Sequence, residues 1–163
     1  MFVKSYKITE PKCFEIFVED IEEDKVLVRP EYLAVCKADI RYYLGNRERT
    51  VLKRKFPMSL VHEGIGIVAR DRTGVFKAGQ RVVMIPCEKA ECDGTKCSSC
   101  VRTYDYLKDN YCPKSKFRSS NADGFSKEMI NIDSEYILPI PDAAPVTRAH
   151  VLNSLNAFMI HLL

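Results

Sequence analysis

From Phe2 to about Arg29 apolar and polar positions alternate, and two segments stand out: Cys13-Phe14-Glu15-Ile16-Phe17-Val18 and Lys25-Val26-Leu27-Val28-Arg29, separated by the acidic turn Glu22-Glu23-Asp24. A period of two puts every second side chain on one sheet face, so both segments are predicted as strands. Pro30 has no amide donor and is expected to end the second. Tyr32 to Leu44 reads as a short helix or irregular segment closing at Gly45-Asn46, followed by a basic loop to Pro57. Gly66-Ile67-Val68-Ala69-Arg70 and Gln80-Arg81-Val82-Val83-Met84-Ile85 read as further strands, joined through turns at Thr73-Gly74 and Ala78-Gly79. Gly124-Phe125-Ser126 then leads into strand patterns at 127–132 and 136–138, and 147–163 has helical spacing. Short strands punctuated by glycine turns predict a mainly β fold built as a small barrel.

At 163 residues the chain has the size of one globular domain. Seven Gly and eight Pro are ordinary numbers and exclude collagen-like or low-complexity classes. Lys and Arg total 25 against 22 Asp and Glu, and the basic residues are scattered apart from Lys53-Arg54-Lys55, so charge names no partner and does not exclude nucleic acid; no nucleic-acid partner is expected from the cysteine pattern. The apolar run at 151–163 is interrupted by Asn153, Asn156 and His161 and is shorter than the ~20 residues of a membrane span. The amino terminus lacks an apolar leader, so a reducing, cytoplasmic setting is expected, in which thiols meet metals.

The cysteines are unevenly spread. Cys13 and Cys36 stand alone, while Cys87, Cys92, Cys97, Cys100 and Cys112 crowd one polar stretch. The run Cys92-x4-Cys97-x2-Cys100-x11-Cys112 supplies the four thiolates of a closed structural zinc site, with Cys97-x2-Cys100 its firmest pair and Cys87 a substitute for Cys92. A loop carrying free thiols is the competing reading. A zinc ribbon that reads nucleic acid would need two knuckles, and only one proper Cys-x2-Cys is present. Taken singly, Cys36 and His62 are most simply a small core residue and a satisfied polar one. Thiolate and imidazole are, however, the ligands zinc prefers, and a catalytic zinc needs three protein ligands and an open position.

In order along the chain stand Cys36-Lys37-Ala38-Asp39, His62-Glu63-Gly64-Ile65-Gly66, Lys77-Ala78-Gly79-Gln80-Arg81-Val82, and then the cysteine loop. This set resembles the amino-terminal, GroES-like catalytic domain of the zinc-dependent medium-chain alcohol dehydrogenases. Val28-Arg29-Pro30, Ala38-Asp39-Ile40-Arg41-Tyr42-Tyr43-Leu44-Gly45, the segment from Phe56-Pro57-Met58 to His62-Glu63-Gly64, and Phe117-Arg118-Ser119-Ser120 are similar to the ribulose-5-phosphate reductases, also called ribitol-5-phosphate dehydrogenases.

The resemblance implies a partly open GroES-like barrel with short helices over 1–142, a cysteine-rich zinc lobe at 87–112, and a helical segment at 143–163. That segment would lead into a Rossmann cofactor domain that the sequence does not contain. It implies catalytic zinc on Cys36 and His62, with Glu63 beside the metal and entering its coordination transiently, and Asp39 hydrogen-bonded to the zinc-bound histidine. Cys36, Asp39, His62 and Glu63 are thus the expected catalytic set. The substrate implied is a polyol or sugar phosphate, exchanging hydride with NADP(H) or NAD(H) bound by the absent domain, so the isolated chain is not expected to turn over.

Candidate phosphate-binding cations are Arg41, Arg47, Arg49, Lys53, Arg54, Lys55 and Arg118, with Arg41 and Arg118 favoured because they sit inside the family-like segments. Partners implied are a Rossmann domain or a homo-oligomer, and a cytidylyltransferase. Two features depart from the family: Ala38 stands where many members have a proton-relaying Ser or Thr, and no Cys or Glu follows Pro141-Asp142 as third ligand, leaving His150. Gly64-Ile65-Gly66-Ile67-Val68-Ala69 fits the dinucleotide fingerprint, but a turn follows it rather than a helix, so close backbone packing is the expected role of its glycines. The competing functions are a non-catalytic zinc-binding interaction module and a dehydrogenase of an unphosphorylated polyol.

Overall fold

Strand periodicity at the amino terminus is realised as β1 (Phe2–Glu10), whose inward positions Val3, Ser5 and Ile8 are buried. The computed structural model describes residues 1–89 and 114–142. The expected cysteine lobe with Cys92, Cys97, Cys100 and Cys112, and the segment 143–163 with His150, lie outside the described residues. Strand β1 pairs antiparallel with β2 (Cys13–Asp20) through a turn in which Lys12 has φ 66°, and on its other side with β4 (Met58–Ser59). The buried Ser5 and Ser59 hydroxyls join β1 to β4 by a 2.7 Å hydrogen bond, which satisfies both polar groups inside an apolar face.

The larger sheet has five antiparallel strands in the order β10-β6-β5-β3-β9. They are β3 (Val26–Ala34), β5 (Glu63–Asp71), β6 (Arg81–Met84), β9 (Ile130–Ile132) and β10 (Ile137–Pro139), the last preceded by a 3-10 turn at Ser134–Tyr136. Val26, Val28, Val68, Val82, Met84, Ile130, Ile132 and Ile137 point to one interior and enclose Phe125. Each such burial contributes roughly 1.5–3 kcal/mol, which makes this the main stabilising layer. A short pair, β7 (Cys87–Glu88) with β8 (Lys116–Phe117), completes a mainly β, partly open barrel. Among the described residues no helix is long and apolar enough to cross a membrane.

Four expectations need correction. The first thirty or so positions hold an additional strand, β1. Pro30 does not end β3: the strand runs on to Ala34, because the ladder with β5 shifts register between Pro30 and Tyr32, and such an irregularity accommodates a residue without an amide proton. Tyr32 to Leu44 is therefore divided between the end of β3 and the helix α1 (Lys37–Tyr43). The basic stretch before Pro57 contains the helix α2 (Arg49–Lys55), which turns Val51 and Leu52 onto a cluster of Ile8, Tyr42, Met58, Leu60 and Val61. The Gly64–Ala69 stretch lies within β5, as the missing helix signal implied. A Cβ on Gly66 would stand 2.8 Å from the Arg29 carbonyl oxygen, so only glycine lets β5 approach β3 there.

Candidate metal centre

Helix α1 begins with a reciprocal cap. Cys36 Sγ accepts from the Ala38 amide at 3.2 Å, and Asp39 Oδ2 accepts from the Cys36 amide at 3.0 Å, so one short motif satisfies two helix-start donors and fixes both side chains. The other oxygen, Oδ1, accepts from the Val61 amide at 3.0 Å and from the Ser119 hydroxyl at 2.9 Å. Asp39 is 1% exposed. Burial works against its ionisation, but the donors on Cys36, Val61 and Ser119 outweigh it and hold the carboxyl below the usual range. Burial, together with the neighbouring Asp39 carboxylate, pushes the Cys36 thiol up.

His62 follows a residue in an unusual conformation. Val61 has φ 69°, a left-handed backbone that costs energy for a β-branched residue, and it persists because neighbouring segments hold it from both sides. Its amide is fixed on Asp39, and its carbonyl accepts from the Phe125 amide at 2.7 Å. The His62 ring is half-buried against Phe117, with centroids 5.7 Å apart, and Glu63 Oε1 stands 3.9 Å from His62 Nε2.

The outcome is a compact donor cluster: Cys36 Sγ, an Asp39 carboxylate oxygen and a His62 ring nitrogen all lie within 4.8 Å of one another. Asp39 is committed to three donors, the Cys36 and Val61 amides and the Ser119 hydroxyl, leaving the thiol and the imidazole for a metal. Soft sulfur with borderline nitrogen is a zinc donor set, and half-burial lowers competition from water. The residues therefore fit zinc, with Glu63 as an adjacent carboxylate.

Among the other sequence candidates, Arg41 stands exposed in the last turn of α1. Arg118 forms an ion pair with Glu88 and donates to the Asp123 carbonyl at 3.4 Å. The hydrogen bonds of Asp39 do not include one to His62. Four contributors were absent from the sequence-derived set: Ser119, Val61, Phe117 and Glu88. Phe117 and Ser119 lie in the family-like segment Phe117-Arg118-Ser119-Ser120 and Val61 in the one from Phe56 to Gly64, whereas no sequence signal marked Glu88. A cavity of about 500 Å³ is lined by the end of α2, by Pro57 and Met58, and by the segment 120–123; Cys36, Asp39 and His62 are not among its lining residues.

Residues 22–142 match the model of the alcohol dehydrogenase GroES-like domain. Ribulose-5-phosphate reductase 1 of Staphylococcus aureus is 40% identical over 144 residues, which cover 87% of this chain and 39% of the relative. Ribulose-5-phosphate reductase of Bacillus spizizenii is 37% identical over 145 residues, covering 88% of this chain and 39% of the relative. The crystal structure of S. aureus TarJ in complex with NADPH superimposes with a TM-score of 0.65 at 28% identity, covering all of this chain and 43% of that one. This chain thus spans about two fifths of the length of the curated relatives it matches.

Proposed function

The chain belongs to the family of the alcohol dehydrogenase GroES-like domain, and on that premise we propose that residues 1–142 are the catalytic domain of a zinc-dependent dehydrogenase or reductase. Its substrate is a polyol or sugar phosphate of the ribulose 5-phosphate and ribitol 5-phosphate type, and its hydride partner is NADP(H). The observation that carries this reading is the convergence of Cys36, Asp39 and His62 within 4.8 Å. The substrate is supported by the names of the relatives, and the cofactor by the NADPH complex of S. aureus TarJ. A cytoplasmic enzyme that works with a Rossmann domain follows from the same reading.

Cys36 and His62 would hold the metal, with Glu63 close enough to exchange into its coordination. Zinc at such a site supplies Lewis acidity that stabilises negative charge developing on the substrate oxygen. Asp39 keeps the Cys36 and Val61 amides in fixed positions, and so sets the spacing between the thiol and the imidazole. Phe117 walls one side of the His62 ring and keeps water from it. Ala38 carries no hydroxyl, so the proton of the substrate alcohol travels through water or a substrate hydroxyl. A phosphate group asks for uncompensated positive charge. Arg118 is neutralised by Glu88, and Arg41 is not among the residues that line the cavity.

Titration calorimetry on the zinc-loaded chain tests the substrate class. Ribulose 5-phosphate should bind while ribulose does not. Equal binding of the two, or binding of neither, would overturn the assignment to sugar phosphates.

A further inference from the structure

We propose that the cavity beside α2 is the phosphate subsite of this domain, with Lys55 and Arg54 as its cations. The inference rests on the reading above that the substrate carries a phosphate, and it names the side chains that recognise it. At about 500 Å³ the cavity has the size of a small-molecule site. Its charges are Arg54, Lys55 and Asp123, and they are not equivalent. The Asp123 carboxylate is already taken up by Lys7 Nζ at 2.8 Å, Lys127 Nζ at 3.1 Å and the Ser59 amide at 3.0 Å. Among the described residues Arg54 forms no ion pair, and Lys55 Nζ donates only to the carbonyl and hydroxyl of Ser120, which are neutral. The charge left over in the cavity is therefore positive.

A further cation stands nearby. The Lys55 ammonium and the Arg47 guanidinium both lie against the Tyr42 ring, 5.3 and 5.0 Å from its centroid. Arg47 Nε, like Arg118 Nε, is buried without a hydrogen-bond partner among the described residues, and neither residue lines the cavity. The two lining cations, Arg54 and Lys55, suit phosphate, whose oxygens accept several charge-assisted hydrogen bonds at once.

None of the cluster residues lines the cavity, but two lining residues belong to segments that support the cluster. Ser120 follows Ser119, which holds Asp39, and Met58 opens the segment that ends in His62.

The test uses the isotope-labelled chain, with amide shifts followed during titration with ribulose 5-phosphate and, separately, inorganic phosphate. Arg54→Ala, Lys55→Met, Arg41→Ala and Arg118→Ala are compared with the parent. Ribulose 5-phosphate should shift the amides of Ser120 to Asp123, and Arg54→Ala and Lys55→Met should each weaken binding by roughly tenfold or more, while Arg41→Ala and Arg118→Ala leave it unchanged. Arg54 is exposed, so its variant keeps the test decisive should Lys55→Met fail to fold. Binding that survives Arg54→Ala but is lost in Arg41→Ala or Arg118→Ala overturns the subsite and leaves the substrate class standing. If the parent ignores ribulose 5-phosphate, the substrate class fails. Inorganic phosphate then decides the subsite alone, supporting it by shifts at Ser120 to Asp123 and overturning it by their absence.

Discussion

The Ser119 hydroxyl donates to Asp39 Oδ1 at 2.9 Å across 80 positions of sequence, and the two side chains are 4% and 1% exposed. The same carboxylate receives the amides of Cys36 and Val61. One buried anion therefore ties together the start of α1, the turn that carries His62, and the turn after β8. A charge in this position is tolerable only because every donor around it is spent on it. The spacing between the two candidate ligands is thus set by a group that need not touch the metal.

Ser119→Ala should lower stability by about 1.5–3 kcal/mol, the range for a buried hydrogen bond to a charged acceptor. Zinc affinity, followed by competition with a chelator, should fall by roughly tenfold or more, as for other residues that orient ligands from behind. Ser119 has φ 60°, so Ser119→Gly, which loses the same hydroxyl but relaxes the backbone, should be less destabilising than the alanine variant. Urea unfolding of both gives the comparison. Equal stability of parent and Ser119→Ala would show that the two amides hold Asp39 unaided.

Gly124→Ala should disturb the metal centre from the opposite side. A Cβ there would collide with the carbonyl oxygens of Leu60 and Val61, and these are backbone atoms that cannot rotate away. Segment 124–126 is fastened to that stretch by bonds from the Gly124 amide to Ser59, the Phe125 amide to Val61 and the Ser126 amide to Leu60, at 2.7, 2.7 and 3.1 Å. Separating them moves the residue before His62. The expected loss is about 2–3 kcal/mol, with weaker zinc binding in the same chelator assay. An unchanged melting temperature would refute the close approach.

Much of this arrangement was legible in the sequence, and the parts that were not have physical reasons. The His62-Glu63 pair and the Cys36-Asp39 spacing are local, and α1 positions Cys36 and Asp39 through its own cap. Ser119 is not local: a single serine carries no periodicity, and only the folded turn brings it to Asp39. Helix α2 was hidden because Lys53-Arg54-Lys55 reads as a solvated loop and its Glu48 cap makes no side-chain hydrogen bond, while the contacts that stabilise it come from Val51 and Leu52 on a distant cluster. Pro30 misled because proline usually marks a strand's end, whereas here the ladder bulges around it.

Acid should unfold the protein partly through Asp123. Burial pushes its carboxyl up, but Lys7, the Ser59 amide and Lys127 prevail and hold it below the ordinary value. Glu19, which faces the same two lysines, is also lowered against the effect of its own burial. A carboxylate depressed in the folded state contributes stability that is fully present above its unfolded value near ~3.9 and is lost as pH falls through the folded one. Lys7 is raised, so its contribution is complete throughout the acid range and disappears only in strong alkali. Urea midpoints should therefore decline between about pH 5 and pH 2, and decline less in Asp123→Asn. Parallel declines in the two proteins would remove Asp123 from the account.

Metal content, measured by elemental analysis, gives the sharpest test of the Cys36 and His62 cluster. Serine is among the best residues at the start of a helix, so Cys36→Ser keeps a capping oxygen for the Ala38 amide while it removes the thiolate. Zinc loss in that variant therefore reports on ligation rather than on collapse of α1, and far-ultraviolet circular dichroism checks that the fold is retained. Cys97→Ser serves as the independent variant for the proposed cysteine lobe. About two zinc ions per parent chain are expected, one for each proposed site. Cys36→Ser and His62→Ala should each lose the same one, and Cys97→Ser the other. Zinc that depends on Cys97 alone, in chains whose Cys36 and His62 are intact, would mean that the cluster does not hold a metal in this chain, because a thiol and an imidazole that failed to ligate would leave their replacement without effect.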